Sequence, residues 1–430
     1  MFFRRPTLND HRTITFRRLM RKNVLGPLRG LRAPRIPTAM ITGSSGKTTT
    51  SRMLAHILAC AGHTAGLACT DGIYIAGRKV RDGDSAGYDG AMRVFADKSI
   101  DAAVLETARG GLISSGLYTR RCHVAALLNV QTGQVGIDGI DTLDAMAAHK
   151  RQVTDAATDR VILSLDDDRC RSMADQYIPS KTTFFCIDPS RSDIAERITL
   201  GSRICTLDET GEWLVLISPE KAHQKIARVN DIPATMSGIV QHNLLNAMAA
   251  AALADGMQVA TETIAQGLMA FENSLDMNPG RFNIIDDCPF TMVLDKALSP
   301  PSLRISIGGF LQLPCEGRRF CMISSVGNRP DSTFDEMASV IAGRFARYIC
   351  FETDYFRRGR QSGEIARRLS QSLVARGVDE AHIICVETPG DALKHLKSLA
   401  TGSDMVFANM LSPDELDQVA GPKLETPLLP

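Results

Sequence analysis

A short β-rich run, Thr38-Ala39-Met40-Ile41, leads through Thr42 into Gly43-Ser44-Ser45-Gly46-Lys47-Thr48-Thr49, and a helical pattern then continues from about Thr48 to Ala61, where Gly62 stops it. Strand, glycine turn and helix in that order make a loop whose amides converge on an anion. Gly43 and Gly46 permit close backbone approach and positive φ, and the helix N-terminus adds its partial positive charge. Lys47 is placed to reach the β and γ phosphates of a bound nucleotide, and the Thr48 hydroxyl to hold Mg²⁺. The usual Walker pattern has a further glycine where Ile41 stands, so this is a variant phosphate loop. Ser44, Ser45 and Thr49 complete the expected cradle. The bland alternative is a glycine turn that caps a helix.

Beyond the loop, β-rich runs alternate with helical stretches, which predicts an α/β fold with a largely parallel sheet. Ala102 to Leu105, Val124 to Leu128, Val161 to Ser164 and Thr183 to Ile187 read as further buried strands. Residues 202–230 shift to hairpin-like alternation, simplest as an insertion of antiparallel strands. A Pro279-Gly280 break precedes a second alternating unit from Phe320 onward. The expected division is a basic extension over 1–36, a central domain over 37–279 and a smaller Rossmann-like domain over 280–430.

Composition narrows the function classes. The formal net charge is +1 over 430 residues, which gives no reason to expect a nucleic-acid partner. No run approaches the length of a membrane span, and the 11 cysteines form no C-x-x-C pair. The expectation is a cytoplasmic protein with reduced thiols. Residues 1–36 carry ten Arg or Lys against the single acid Asp10, which reads as a solvated extension, a docking arm for an acidic partner or an organelle presequence.

The loop Thr42-Gly43-Ser44-Ser45-Gly46-Lys47-Thr48-Thr49 resembles the T-G-x-x-G-K-T-T loop of the Mur ligases and of the related folyl-polyglutamate and cyanophycin synthetases. The likeness runs from about residue 38 through nearly the whole chain and is strongest to the C-terminal, Mur-like half of cyanophycin synthetase. Matching motifs follow in order: Thr70-Asp71-Gly72, Gly83-Asp84-Ser85-Ala86-Gly87, Leu105-Glu106-Thr107-Ala108-Arg109, Gly139-Ile140-Asp141-Thr142-Leu143 with Lys150, His242-Asn243 with Asn246-Ala247, Pro279-Gly280-Arg281, Gly327-Asn328-Arg329-Pro330-Asp331 and Arg358-Gly359-Arg360.

The resemblance implies a P-loop Mur-ligase-type central domain and an ATP- and Mg²⁺-dependent reaction. In it a carboxylate is phosphorylated, an amine attacks the acyl phosphate, and an amide, ADP and phosphate result. Glu106, after an apolar strand, would hold Mg²⁺. Lys150 matches a lysine that Mur ligases often carbamylate into a metal ligand, although by spacing alone it is a lysine on a helix. Asn243, Arg281 and Asp295 would meet the nucleotide; without the family, Asn243 reads as a helix cap and Arg281 as a linker residue. Ser85 and Arg109 would hold substrate, an amino acid or acidic peptide. Arg357-Arg358-Gly359-Arg360 would hold an acidic group at a helix start or simply be solvated.

Two departures stand out. Where the family has Asp-His in Asn-x-x-x-Asp-His-Leu-Gly, this chain has Gly133 and Gln134 after Asn129, and an amide is a poorer ligand for a hard cation than a carboxylate. In the second domain, Asp-Tyr-Ala-His-Asn-Pro becomes Asp295-Lys296-Ala297-Leu298-Ser299-Pro300. An active ligase is the first expectation. A degenerate ATP-binding homologue that regulates or scaffolds is the second, and another P-loop kinase or NTPase the third. A homo-oligomer and a partner protein both stay open.

Overall fold

The computed structural model describes residues 35–411, except Ile137, Lys221, Ala222 and Asp287, together with Glu415. The basic extension therefore lies outside the described residues but for Arg35 and Ile36. The chain forms two compact units. The larger runs to Gly238 and takes in His242–Phe271; the smaller comprises Ile239–Gln241 and the chain from Glu272.

The larger unit is built on one 11-stranded sheet. Its strands are β1 (Thr38–Thr42), β2 (Ala65–Cys69), β3 (Gly72–Ile75), β4 (Arg78–Asp82), β5 (Ala102–Glu106), β6 (Cys122–Leu127), β7 (Ala157–Ser164), β8 (Thr182–Phe185), β9 (Arg203–Leu207), β10 (Trp213–Ile217) and β11 (Gln224–Arg228). They lie in the order β11-β10-β9-β8-β7-β6-β1-β5-β2-β3-β4. From β2 to β9 every neighbouring pair is parallel, and antiparallel hairpin strands extend both edges. The strands predicted over 202–230 thus continue the main sheet instead of forming a separate insertion.

β1 and β5 are buried along their whole length, as expected of short apolar runs covered on both faces of a parallel sheet. The unit's helices are α1 (Lys47–Cys60), α2 (Tyr88–Ala96), α3 (Arg109–Ser115), α4 (Leu143–Thr154), α5 (Asp168–Ser172), α6 (Asp193–Thr199), α7 (Gln241–Gly256) and α8 (Thr261–Met269). α7 is Ala-rich and buried from Asn246 to Ala254, where small side chains allow a helix to lie close to its neighbours. The chain leaves β1 to reach β2 on one side, then crosses from β5 to β6 on the other. The carboxyl end of β1 is therefore a topological switch point, the usual location of a ligand crevice in such sheets.

The smaller unit has a 6-stranded sheet made of β12 (Arg281–Ile285), β13 (Thr291–Asp295), β14 (Arg319–Ile323), β15 (Arg347–Cys350), β16 (Ile383–Cys385) and β17 (Met405–Ala408). Their order is β12-β13-β17-β14-β15-β16, parallel except for the β12–β13 pair. Its helices are α9 (Pro300–Gln312), α10 (Asp331–Ile341), α11 (Asp354–Arg357), α12 (Glu364–Val374) and α13 (Pro389–Leu399). The expected α/β class and the smaller second unit are both present. Among the described residues, no helix is long and apolar enough to cross a membrane.

Candidate functional site

Three neighbouring parallel strands deliver the larger unit's polar residues to one place. β1 ends in the phosphate loop, β5 ends in Glu106 and β6 leads into Asn129. Gly46 caps α1 in the left-handed region at φ 81°. A Cβ there would lie 2.3 Å from Asn246 Oδ1, so both conformation and space require glycine.

Glu106 is 2% exposed and fully engaged. Its Oε2 accepts from the Thr48 hydroxyl at 3.0 Å and from the Thr70 amide at 2.8 Å, while Oε1 accepts from the Thr70 hydroxyl at 2.8 Å. The two oxygen donors expected to hold Mg²⁺ therefore touch across 58 residues of sequence. Hard oxygen donors fit that ion, which commonly takes one or two protein carboxylates and completes its shell with water and substrate phosphates. The described residues hold no cluster of three or more His, Cys, Asp or Glu suited to a metal.

Two lysines cross the same loop. Lys47 Nζ donates to the Gly43 carbonyl at 3.1 Å and Lys150 Nζ donates to it at 2.8 Å. Lys150 is completely buried on α4. Burial first, then the charges of Lys47 and Arg109, hold its ammonium well below the ordinary lysine range. Sequence spacing alone gave an ordinary helical lysine. The fold instead places it under the phosphate loop.

Asn129 carries more of the loop than its sequence position suggested. Its Oδ1 accepts from the amides of Ser44 at 3.0 Å and Ser45 at 2.9 Å, and its Nδ2 donates to the Ser45 carbonyl at 3.3 Å. The Gln131 amide adds a bond to Ser44 Oγ at 2.8 Å. From α7, Asn246 Oδ1 accepts from Thr50 at 3.3 Å. Asn246 also donates to Asn243, whose own amide donates to the Ala234 carbonyl at 2.9 Å. Asn243 is fully buried within this chain of bonds. The signal for Asn129 and Thr70 was the one used for Glu106, a polar residue directly after an apolar strand.

The loop over Gly83–Gly87 is pinned to the end of β2, with the Ser85 amide donating to the Cys69 carbonyl at 3.0 Å and Ser85 Oγ to the Gly83 carbonyl at 3.1 Å. It abuts the start of α3, where the Ala108 amide donates to the Ala86 carbonyl at 3.3 Å. Arg109, 8% exposed, donates to Asp138 at 2.8 Å. A small pocket beside Glu106 is lined by Gly87, Tyr88, Thr107, Tyr118 and Thr119.

In the smaller unit, Arg281 and Asp295 are cross-strand partners on β12 and β13. Burial pushes the Asp295 carboxyl up to about 7, against the opposing pull of Arg281 and a hydrogen bond from Ser306. Leu298 packs against this unit's apolar core. Ser299 caps α9 in a reciprocal pair with Ser302. Both replacements in this second motif thus serve packing and capping. The arginine run is likewise engaged. Arg360 donates to Gly327 O at 2.9 Å, Asp331 at 2.7 Å and Glu364 at 2.7 Å, and Arg357 donates to Glu352 at 3.1 Å. Buried Glu352 also accepts the Gly363 and Ile365 amides at 2.8 and 3.2 Å, so a protein carboxylate already occupies the start of α12.

Residues 41–254 match the Mur ligase middle domain. The cyanophycin synthetase of Synechocystis sp. is 33% identical over 86% of this chain and 41% of its own length. The chain thus spans less than half of that protein. The UDP-N-acetylmuramoyl-L-alanyl-D-glutamate--2,6-diaminopimelate ligase of Bacillus cereus is 24% identical over 73% of this chain and 62% of its own. Two solved structures share the fold. E. coli FolC in complex with DHPP and ADP has a TM-score of 0.66 at 16% identity, covering 91% of this chain and 89% of that one. The Yersinia pestis folylpolyglutamate synthase/dihydrofolate synthase complexed with AMPPNP and Mn ion has 0.62 at 19%, covering 91% and 90%. The middle-domain match takes in the phosphate loop, Glu106 and Lys150, the likeness to cyanophycin synthetase extends through most of the chain, and this protein belongs to the Mur ligase family.

Proposed function

We propose that this chain is an ATP-dependent carboxylate–amine ligase of the acid–amino-acid, ADP-forming type, acting on an amino acid or acidic peptide. The observation that carries the reading is the direct 3.0 Å bond between Thr48 and Glu106 beside the phosphate loop. In this reading the loop amides and Lys47 bind the triphosphate, with Ser44, Ser45 and Thr49 in the cradle. Thr48 and Glu106 would hold Mg²⁺, which when bound offsets negative charge on the transferring phosphoryl group.

The acceptor carboxylate attacks the γ phosphorus and ADP leaves; the amine then attacks the acyl carbon and phosphate leaves. Arg109 is the candidate for holding the substrate carboxylate, because its present partner Asp138 is itself a carboxylate and 54% exposed. Ser85 stands on the adjoining loop. Lys150 is poised for a further role. Burial lowers the proton affinity of Lys150, which favours the neutral amine that can add to CO₂, and a carbamate would set an anion able to serve as a metal ligand beside Lys47 and Arg109. Asn243 supports the loop through Asn246. Arg281 and Asp295 are assigned to the nucleotide on the resemblance of their motifs.

A second reading, an ATP-binding homologue without turnover, is favoured by one observation: Leu298 and Ser299 are committed to core and cap. Phosphate release from Mg-ATP, measured against paired amino acids and short Asp- or Glu-containing peptides, separates the two. Release that requires both a carboxylate and an amine, and is lost in Lys47→Ala, supports the ligase. ATP binding with no release on any pair overturns it in favour of the second reading.

A further inference from the structure

Cys350 closes β15 and Cys385 closes β16, and the two are paired in register across neighbouring parallel strands. Adjacent strands lie about 4.8 Å apart, inside the roughly 4.4–6.8 Å separation of Cα atoms that a disulfide spans. In parallel strands, register partners put their side chains on the same face, here the one that α12 covers: Cys385 Sγ donates to the Ala366 carbonyl of that helix at 3.7 Å. β16 is a three-residue strand at the sheet edge, with β15 as its neighbour among the described strands.

The pair is chemically unequal. Cys350 is completely buried and Cys385 is exposed. Its neighbour Cys350 draws the Cys385 thiol down to about 6, with further help from Ser370 and the charge of Arg367, against the effect of burial. The Cys350 thiol is held well above its ordinary range by its neighbour Cys385 first and by burial second. The exposed sulfur therefore gives up its proton more readily than the buried one beside it.

We propose that Cys385 and Cys350 are a redox modification site, oxidised by hydrogen peroxide to a reversible intramolecular disulfide. The Cys385 thiolate attacks a peroxide oxygen, the O–O bond breaks, and the leaving hydroxide takes a proton to become water, which leaves a sulfenic acid on Cys385. The Cys350 sulfur then attacks the Cys385 sulfur. The S–O bond breaks, the S–S bond forms, and hydroxide leaves as water with the Cys350 proton. Two thiols lose two electrons, and one peroxide becomes two waters. The bond ties β16 to β15 two residues before Glu352, whose carboxylate anchors the start of α12. This site stands apart from the proposed ligase chemistry and does not depend on it.

The test uses the full-length protein with stoichiometric hydrogen peroxide, followed by alkylation and peptide mapping without reduction. The expected product is one peptide pair joining Cys350 to Cys385, lighter by two hydrogens and separated by dithiothreitol. In Cys350→Ser the expected product is a dimedone-trapped sulfenic acid on Cys385 with no bridge. Before oxidation, a maleimide should label Cys385 about tenfold faster than the other exposed cysteine, Cys60, at neutral pH. A wild-type map in which Cys385 carries sulfenic or sulfinic acid while Cys350 remains an alkylatable thiol overturns the proposal, as does equal labelling of Cys60 and Cys385.

Discussion

Replacing Glu106 with Gln should separate the fold from the chemistry. In the native site, Oε2 accepts from the Thr70 amide and the Thr48 hydroxyl, while Oε1 accepts from the Thr70 hydroxyl. A glutamine carbonyl placed where Oε2 lies keeps the first two bonds, because a backbone amide and a hydroxyl can both donate to it. Its NH₂ then donates to Thr70 Oγ1, because a hydroxyl can reverse its role. All three contacts survive. Bonds to a charged group are each worth about 1 kcal/mol more than neutral ones, but the variant also avoids burying a charge. The two effects oppose, and the urea midpoint should correspond to a change of at most about 2 kcal/mol. The lost negative charge has no substitute, so phosphate release should fall by at least about 100-fold. Glu106→Ala orphans all three donors and should lose both stability and activity. A Gln variant within tenfold of wild-type turnover would refute Glu106 as the group facing the metal and phosphate. A large loss of stability in that variant would refute the hydrogen-bond exchange.

Two other perturbations test the surroundings. Gly46→Ala places a Cβ 2.3 Å from Asn246 Oδ1 at φ 81°, so the stability measured by urea unfolding should drop by about 2–4 kcal/mol with weakened ATP binding; an unchanged midpoint with unchanged binding contradicts the loop geometry. Asp295 is protonated more readily folded, near 7, than unfolded, near about 3.9. Its contribution therefore favours the folded state at low pH and is lost as pH rises through that window. Asp295→Asn should accordingly gain stability over wild type between pH 4 and pH 8, by at most about 4 kcal/mol, and a pH-independent difference between the two proteins would refute the buried carboxylate.

The phosphate loop was legible because its conformation is local: strand, glycine and helix lie within a few residues of one another. Glu106 was legible because a carboxylate after four apolar residues is unusual. Lys150 was ambiguous, since its burial is set by β1 and β6, which lie far from it in sequence. Asn129 shared the signal of Glu106, a polar residue after an apolar strand, but the loop amides it receives from more than 80 residues away left no local mark, and the role of Asn246 had none at all. Leu298 and Ser299 show the reverse limit. Family comparison marked them as losses, whereas packing gives each a positive structural reason. The edge strand β4, Arg78–Asp82, escaped notice because it is exposed throughout and mostly charged.

The long sequence reach of the Thr50–Asn246 bond bears on how this protein becomes competent during synthesis. The loop residues emerge early, yet their flanking strands β5 and β6 follow some 60 to 80 residues later, and Asn246 comes 196 residues after Thr50. At roughly 5–20 residues per second, a ribosome needs about 10 to 40 seconds to cover that interval. Through that interval the nascent chain carries a phosphate loop without its last brace. Arrested chains released before α7 has emerged should bind nucleotide poorly even though every residue of the loop is present, because the cradle is completed by a helix made near the end of the larger unit.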